Sequence, residues 1–137
     1  MKVLIFGCGS LSANLVEDLS GGDSNITVLG DDRDCLERIA GLQGVKVILT
    51  SEPMMQDYLQ EGGIGHCDVF LAMSDDDHHN ILVSQIAKHI YNVPKVVCHL
   101  DSPQLQVMYA ALSLDVVGYS FALLQDVRQV IQTPTQV

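Results

Sequence analysis

Short apolar runs alternate with longer segments of helical period along the whole chain. The runs 3–6, 26–29, 45–49, 69–73, 96–100 and 116–119 are rich in Val, Ile and Leu, with apolar residues at successive positions. Strands that are apolar on both faces suit a parallel sheet covered on both sides. Between them the spacing predicts helices over 11–19, 33–40, 54–60, 78–91 and 104–114. Glycines and small polar residues mark the turns: Gly21 with Gly22, Gly41 with Gly44, and Gly62, Gly63 and Gly65. Pro53 and Pro103 each suit a first helical turn. A last helix is expected over 121–132, with Leu123, Leu124, Val127, Val130 and Ile131 on one face, and a frayed tail follows over 133–137. Its apolar stripe either folds back on the sheet or reaches a partner subunit. Five strand–helix units and a sixth strand predict an α/β fold built on a doubly wound parallel sheet of about six strands, with helices on both faces.

Composition narrows the class. At 137 residues, 47% of them hydrophobic and 18% charged, the chain is long enough for one domain with a sizeable core. No apolar run reaches the ~18 residues of a membrane span, and the opening run leads straight into a glycine turn, so neither a signal peptide nor a span is expected. Seventeen acidic residues against seven basic ones give a net charge of −10, which repels nucleic acid and anionic lipid. Cys8, Cys35, Cys67 and Cys98 contain no Cys-x-x-Cys pair. The reading favoured for them is four small buried hydrophobes in a reducing cytosol, with a zinc site or a reactive thiol as the alternatives. Cys8 stands apart, because it lies between two loop glycines next to a helix start, where a thiolate is favoured.

The candidate chemistry begins at that loop. Lys2-Val3-Leu4-Ile5-Phe6 ends in Gly7-Cys8-Gly9-Ser10-Leu11-Ser12, a strand, a tight turn and a helix start. Alternate glycines let the backbone approach a pyrophosphate closely, and the helix N-terminus supplies unpaired N–H groups and positive dipole. The sheet is therefore expected to be Rossmann-like, with its crevice at the strand C-terminal ends. Ser12 replaces the third glycine of the usual pattern, and Ser10 is a candidate N-cap. The second strand should end in an acid that bonds a ribose, about 20 residues past the loop. It ends in Gly30 instead, with Asp31 and Asp32 one and two residues late. Either these aspartates recover the ribose contact or they cap the following helix; both readings stand. The same two carboxylates argue against the 2′-phosphate of NADP beside Arg33. Ser74-Asp75-Asp76-Asp77-His78-His79-Asn80 follows the fourth strand and reads as a helix start, capped by Ser74 or Asp75, rather than a metal site. No catalytic set is expected. His99 is the one histidine placed like a hydride-transfer acid or base.

Taken together, these residues resemble the RCK or KTN nucleotide-binding domain of Trk/Ktr-type potassium-transport regulators, over residues 1 to about 120. Gly7-Cys8-Gly9-Ser10-Leu11-Ser12 takes the place of the glycine motif, and Asp76-Asp77-His78-His79-Asn80 matches the family's Asp-Asp-x-x-Asn segment. Ala72-Met73-Ser74 matches the loop before that segment. Ser51-Glu52-Pro53-Met54 stands where the family has Gly-Asp-Ala-Thr, and His99-Leu100-Asp101-Ser102-Pro103 where it has an Arg and then Asn-Asp-Pro. The spacing of Leu59 through Ile64 before Cys67-Asp68-Val69 is also shared.

The resemblance implies a non-enzymatic regulatory subunit, cytoplasmic and peripheral at the inner face of the membrane through a potassium-transport partner. It implies a homo-oligomer, a dimer or a ring of dimers, in which 1–120 binds ligand and 121–137 serves assembly. The implied ligand is NAD or NADH, with ATP, ADP and AMP as alternatives. The residues it would touch are Gly7, Cys8, Gly9, Ser10, Leu11, Asp31, Asp32, Ser51, Glu52, Ala72, Met73, Ser74, Asn80 and His99. Two other readings are open: the cofactor domain of a small NAD-dependent oxidoreductase, and a degenerate assembly module that has lost its ligand.

Overall fold

The computed structural model describes residues 1–50 and 55–134 of the chain. Residues 51–54, with Ser51, Glu52 and Pro53, and the end of the tail lie outside the described residues. Six strands form one sheet: β1 (Lys2–Phe6), β2 (Asn25–Gly30), β3 (Val45–Leu49), β4 (Val69–Ala72), β5 (Lys95–His99) and β6 (Asp115–Val117). Their order is β3-β2-β1-β4-β5-β6, and every neighbouring pair is parallel. This is the doubly wound Rossmann order, which places a crevice where the winding reverses, between β1 and β4.

The winding follows from strands whose alternate side chains are both apolar. Val3 and Ile5 of β1 join Val16, Ile26, Val28, Leu36 and Ile39 beneath α1 (Ser10–Leu19) and α2 (Arg33–Ala40). Leu4, between them, points the other way and packs with Leu29, Leu59, Phe70 and Val83 beneath α3 (Met55–Glu61) and α4 (Asp77–Gln85). A smaller cluster of Ile81, Cys98, Leu100, Leu114 and Val116 lies under α5 (Pro103–Ala111). The third and fourth helices differ from a simple reading of the sequence. A 3₁₀ turn, Ile64–His66, follows α3, and α4 passes into a π-helical turn over Ile86–Ile90. The chain then leaves through Asn92, whose φ of 53° asparagine tolerates better than most residues. Helix α6 (Tyr119–Gln132) starts two residues earlier than expected, because β6 ends at Val117. Leu123, Val127, Val130 and Ile131 of α6 are exposed, so that stripe does not fold back onto the sheet.

The helix starts correct two expectations. Gly9, not Ser10, is the N-cap of α1, and Ser10 is its first helical residue. Asp76, not Ser74 or Asp75, caps α4, accepting from the His79 N–H at 3.0 Å. Ser102 caps α5 with Pro103 in its first turn.

Side-chain ties then fix the carboxyl ends of β4 and β5 against each other. Asn80 is fully buried, and its amide is satisfied on both sides. Its Oδ1 accepts from the Ser74 N–H at 3.0 Å and the Ser74 hydroxyl at 2.7 Å. Its Nδ2 donates to the carbonyls of Ser74 at 2.9 Å and His99 at 2.8 Å. Asp77 accepts from the N–H groups of Asp101 at 2.8 Å and Ser102 at 2.9 Å. One helix start thus holds the next strand's exit loop.

Replacing Asn80 with alanine strands several buried polar groups at once, and we expect a loss of about 3 kcal/mol in urea unfolding. Leu82→Ala, on the exposed side of the same helix, should change stability by less than ~1 kcal/mol; equal losses would refute the tie. A second expectation concerns pH. The His79 N–H holds the Asp76 carboxyl below its ordinary 3.8. A lowered folded-state pKa means the contribution is whole above the unfolded value and lost as pH falls through the lowered one. Asp76→Ala should therefore reduce Tm equally at pH 7 and pH 5, with the gap closing below about pH 4. A gap that widens on acidification would carry the wrong sign.

Candidate functional site

The first loop is shaped by close backbone contact. Gly7 has φ +101°, and a Cβ there would lie 2.5 Å from the backbone nitrogen of Ser74. Glycine is required on both counts. Gly7 N–H donates to the Leu29 carbonyl at 2.7 Å, and Met73 N–H to the Phe6 carbonyl at 2.7 Å. The exits of β2, β1 and β4 are thereby locked side by side. Ser12, at the third glycine position, is fully buried and turns its hydroxyl back to the Gly7 carbonyl at 2.8 Å.

Gly9 has the opposite surroundings. A Cβ built there meets nothing within 4 Å, so its outer side is open. No side chain caps α1, and its first backbone bond runs from the Ala13 N–H to the Gly9 carbonyl. The amides of Ser10, Leu11 and Ser12 precede that bond, in the turn where a helix has donors without intrahelical partners. Open space above Gly9 and unclaimed donors beside it fit a linked pair of phosphates. Leu11 is largely exposed at this turn.

At the end of β2 the structure separates the two aspartates. Asp32 is the N-cap of α2 and accepts from the Cys35 N–H at 3.1 Å, so its carboxylate serves the helix. Asp31 is exposed at the crevice rim. Gly30 has a steric reason: a Cβ on it would lie 2.8 Å from the Cβ of Cys8. Cys8 rests on the end of β2 and forms a disulfide with Cys35, their Cα atoms 6.0 Å apart. This overturns the expectation of four independent buried hydrophobes, which holds only for Cys67 and Cys98. Burial pushes the Cys67 thiol up to about 11 and raises Cys98 as well.

The opposite wall comes from β4 and β5. Ala72 is buried, while Met73 and Ser74 form the half-buried turn against Gly7. Asn80 lies behind that turn with its amide engaged, so it shapes the wall. The His99 side chain is 12% exposed, with Nε2 3.5 Å from Asp101 Oδ1. Gly7, Cys8, Gly9, Ser10, Leu11, Met73 and Ser74 are thus brought together, Asp31 sits at the rim, and Ser51 and Glu52 lie outside the described residues. Among the described residues no three His, Cys, Asp or Glu side chains converge as metal ligands. Sequence reasoning missed Cys35 and Asp77. The signal for Cys35 was available, because the start of α2 must adjoin the first loop once β1 and β2 are parallel neighbours.

Comparison with known proteins agrees with this geometry. The description "TrkA-N domain" matches residues 3–120. The chain is 28% identical over 104 residues to the Trk system potassium uptake protein TrkA of Vibrio alginolyticus, covering 76% of this chain and 22% of that protein. It is 26% identical over 118 residues to TrkA of Streptomyces coelicolor, covering 86% and 52%. The chain therefore spans between about a fifth and a half of these relatives. Among solved structures, the TrkA-N domain of inner membrane protein ybaL from Escherichia coli superposes with a TM-score of 0.75 at 12% identity, covering 96% of both chains. The Kef C-terminal domain of Shewanella denitrificans in its AMP-bound form gives 0.72 at 16% identity, covering 97% of this chain and 83% of that one. Shikimate dehydrogenase of Mycobacterium tuberculosis gives 0.53 at 14% identity over 44% of its length, showing that the fold is shared with an enzyme. With the family description covering residues 3–120, this chain belongs to the TrkA-N domain family.

Proposed function

We propose that this chain is the ligand-sensing part of a regulatory subunit for potassium uptake, cytoplasmic and peripheral at the inner membrane face through its transport partner. The observation that carries the reading is the open space over Gly9 beside the uncapped start of α1. The names of the TrkA relatives support the transport system, and the AMP-bound Kef domain of the same fold supports an adenine ligand. The phosphates bind at the amides of Ser10 and Leu11, with Cys8 and Gly9 beneath them. NAD or NADH lies across the switch point toward Ala72, Met73 and Ser74, and ATP, ADP or AMP fills the first half alone. Asn80 and His99 hold the far wall.

Regulation needs no bond-making step. A ligand that binds one assembly state better than another shifts the population toward it, and the pore follows. Residues 1–120 act as the binding unit, while 121–137 join copies through the exposed stripe of α6 into a homo-oligomer. The domain is not an enzyme on this reading. The rival reading, an oxidoreductase cofactor domain, rests on the dehydrogenase likeness and on His99.

Thermal melts in dithiothreitol against NAD, NADH, ATP, ADP and AMP test the proposal. A binding nucleotide at 100 times its Kd should add ~2.7 kcal/mol of stability, with no consumption of NADH. Gly9→Asp should keep the ligand-free melt close to wild type, since no atom lies within 4 Å of the new Cβ, yet lose the nucleotide shift. Absence of any shift at millimolar nucleotide would defeat the reading, and steady NADH turnover with a carbonyl substrate would favour the rival.

A further inference from the structure

We propose that Cys8 and Cys35 are a thiol–disulfide switch on the ligand site, closed to nucleotide when oxidised and open when reduced. The inference rests on the nucleotide reading of the first loop. It adds a second input to that site, the state of a small dithiol or of a protein carrying one.

Position is the main argument. The disulfide joins the middle residue of the glycine loop to the third residue of α2, across the exits of β1 and β2. In a Rossmann sheet the ribose next to the pyrophosphate sits over the end of β2. Here that place holds Cys8, whose Cβ would be only 2.8 Å from a side chain on Gly30. The second sulfur sits against the loop backbone on the carbonyl side, with Cys35 Sγ 3.6 Å from the Gly9 carbonyl oxygen. The bridge therefore crosses the loop beside the amides that hold phosphate, and it blocks the ribose side of the crevice.

Access and chemistry agree with a reversible bond. Cys8 and Cys35 are both partly exposed, while Cys67 and Cys98 are buried, so only the first pair meets a soluble thiol. Both lie at helix starts, where the positive end of the dipole favours a thiolate as leaving group. A dithiol reductant attacks one sulfur through its thiolate, giving a mixed disulfide and releasing the other cysteine. Its second thiol then displaces the first cysteine. Two electrons pass to the protein, the reductant leaves as a disulfide, and its two protons end on Cys8 and Cys35. In the reducing compartment that the proposed function implies, a disulfide is more often a transient sensor than a staple.

The fold does not depend on the bridge, so cutting it frees the loop without dismantling the sheet. Helix α2 is also held to α1 by Arg38, which donates to Glu17 at 2.8 Å and Asn14 at 3.0 Å. Beneath these, Val16, Leu36 and Ile39 share one buried cluster. Reduction leaves the Cys8 side chain free to rotate off the β2 end.

The test uses the full chain treated with oxidised or reduced dithiothreitol. Iodoacetamide mapping should find Cys8 and Cys35 protected after oxidation and labelled after reduction, with Cys67 and Cys98 labelled only in denaturant. Titration calorimetry with AMP and with NADH should then give at least tenfold weaker binding to the oxidised protein. Cys35→Ser should bind like reduced wild type under both treatments. Equal affinity in the two states would overturn the switch, leave the nucleotide reading intact and make the bridge a staple. Labelling of both cysteines after oxidation would overturn it too. No binding to any form, Cys35→Ser included, would defeat the nucleotide reading and the switch with it.

Discussion

The contact between Gly7 and the backbone of Ser74 is the constraint from which the rest of the molecule takes its shape. It brings the exits of β1 and β4 closer than any side chain would permit. The first crossover and the fourth strand's turn therefore form one surface at the reversal of the winding. Its partners are short backbone bonds, Gly7 to Leu29 and Met73 to Phe6, which leave no freedom to slide one exit past another. Everything that a ligand could meet is hung on this junction. The amides of α1 face outward because Gly7 has already turned the chain, and Gly9 has open space because Gly7 takes up the close approach.

A second layer of buried polar groups carries that rigidity across to β5. Asn80 binds the same turn that Gly7 touches and reaches the His99 carbonyl beyond it. Asp77 clamps the start of α5, and Gln106 inside α5 donates back to the Leu100 carbonyl at 2.6 Å. Each of these side chains satisfies backbone that the parallel sheet leaves unpaired at its carboxyl edge. Buried amides without partners would cost on the order of 1–3 kcal/mol each, so the network is what allows the crevice walls to be firm and irregular at once. Firm walls matter for the sensing role proposed above, because a ligand shifts an equilibrium only as far as its contacts differ between states.

The fold was legible because its signals are local. Apolar runs such as 3–6 and 69–73 announce two covered faces, and the glycines mark where each crossover begins. The caps were less legible: Ser10, Ser74 and Asp75 are all good capping types, and only the backbone path shows that Gly9 and Asp76 take the position. The exposed stripe of α6 was visible as a pattern, yet its direction depended on where β6 stopped. Cys35 was lost for a different reason. Its pairing with Cys8 spans 27 residues and two elements, so it is read from the parallel pairing of β1 and β2 and not from either local segment. The sequence likewise offered Asp31 and Asp32 as equals, whereas the turn into α2 gives Asp32 to the helix and leaves Asp31 at the rim.

Gly30 and Cys8 gain their meaning only as a pair. Read alone, the glycine is a missing ribose acid, a departure that weakens a nucleotide site by about 1.5–3 kcal/mol. Read alone, the cysteine is a small residue tolerated between two loop glycines. In the structure a side chain at 30 and a cysteine at 8 compete for one volume, since their Cβ atoms would be 2.8 Å apart. An acid at the end of β2 would push Cys8 off its seat and away from Cys35. The glycine at 30 and the disulfide at 8 and 35 thus belong to the packing of one corner. It follows that an acid at position 30 changes two things at once, because the same substitution that adds a carboxylate also displaces Cys8 from its bridge with Cys35.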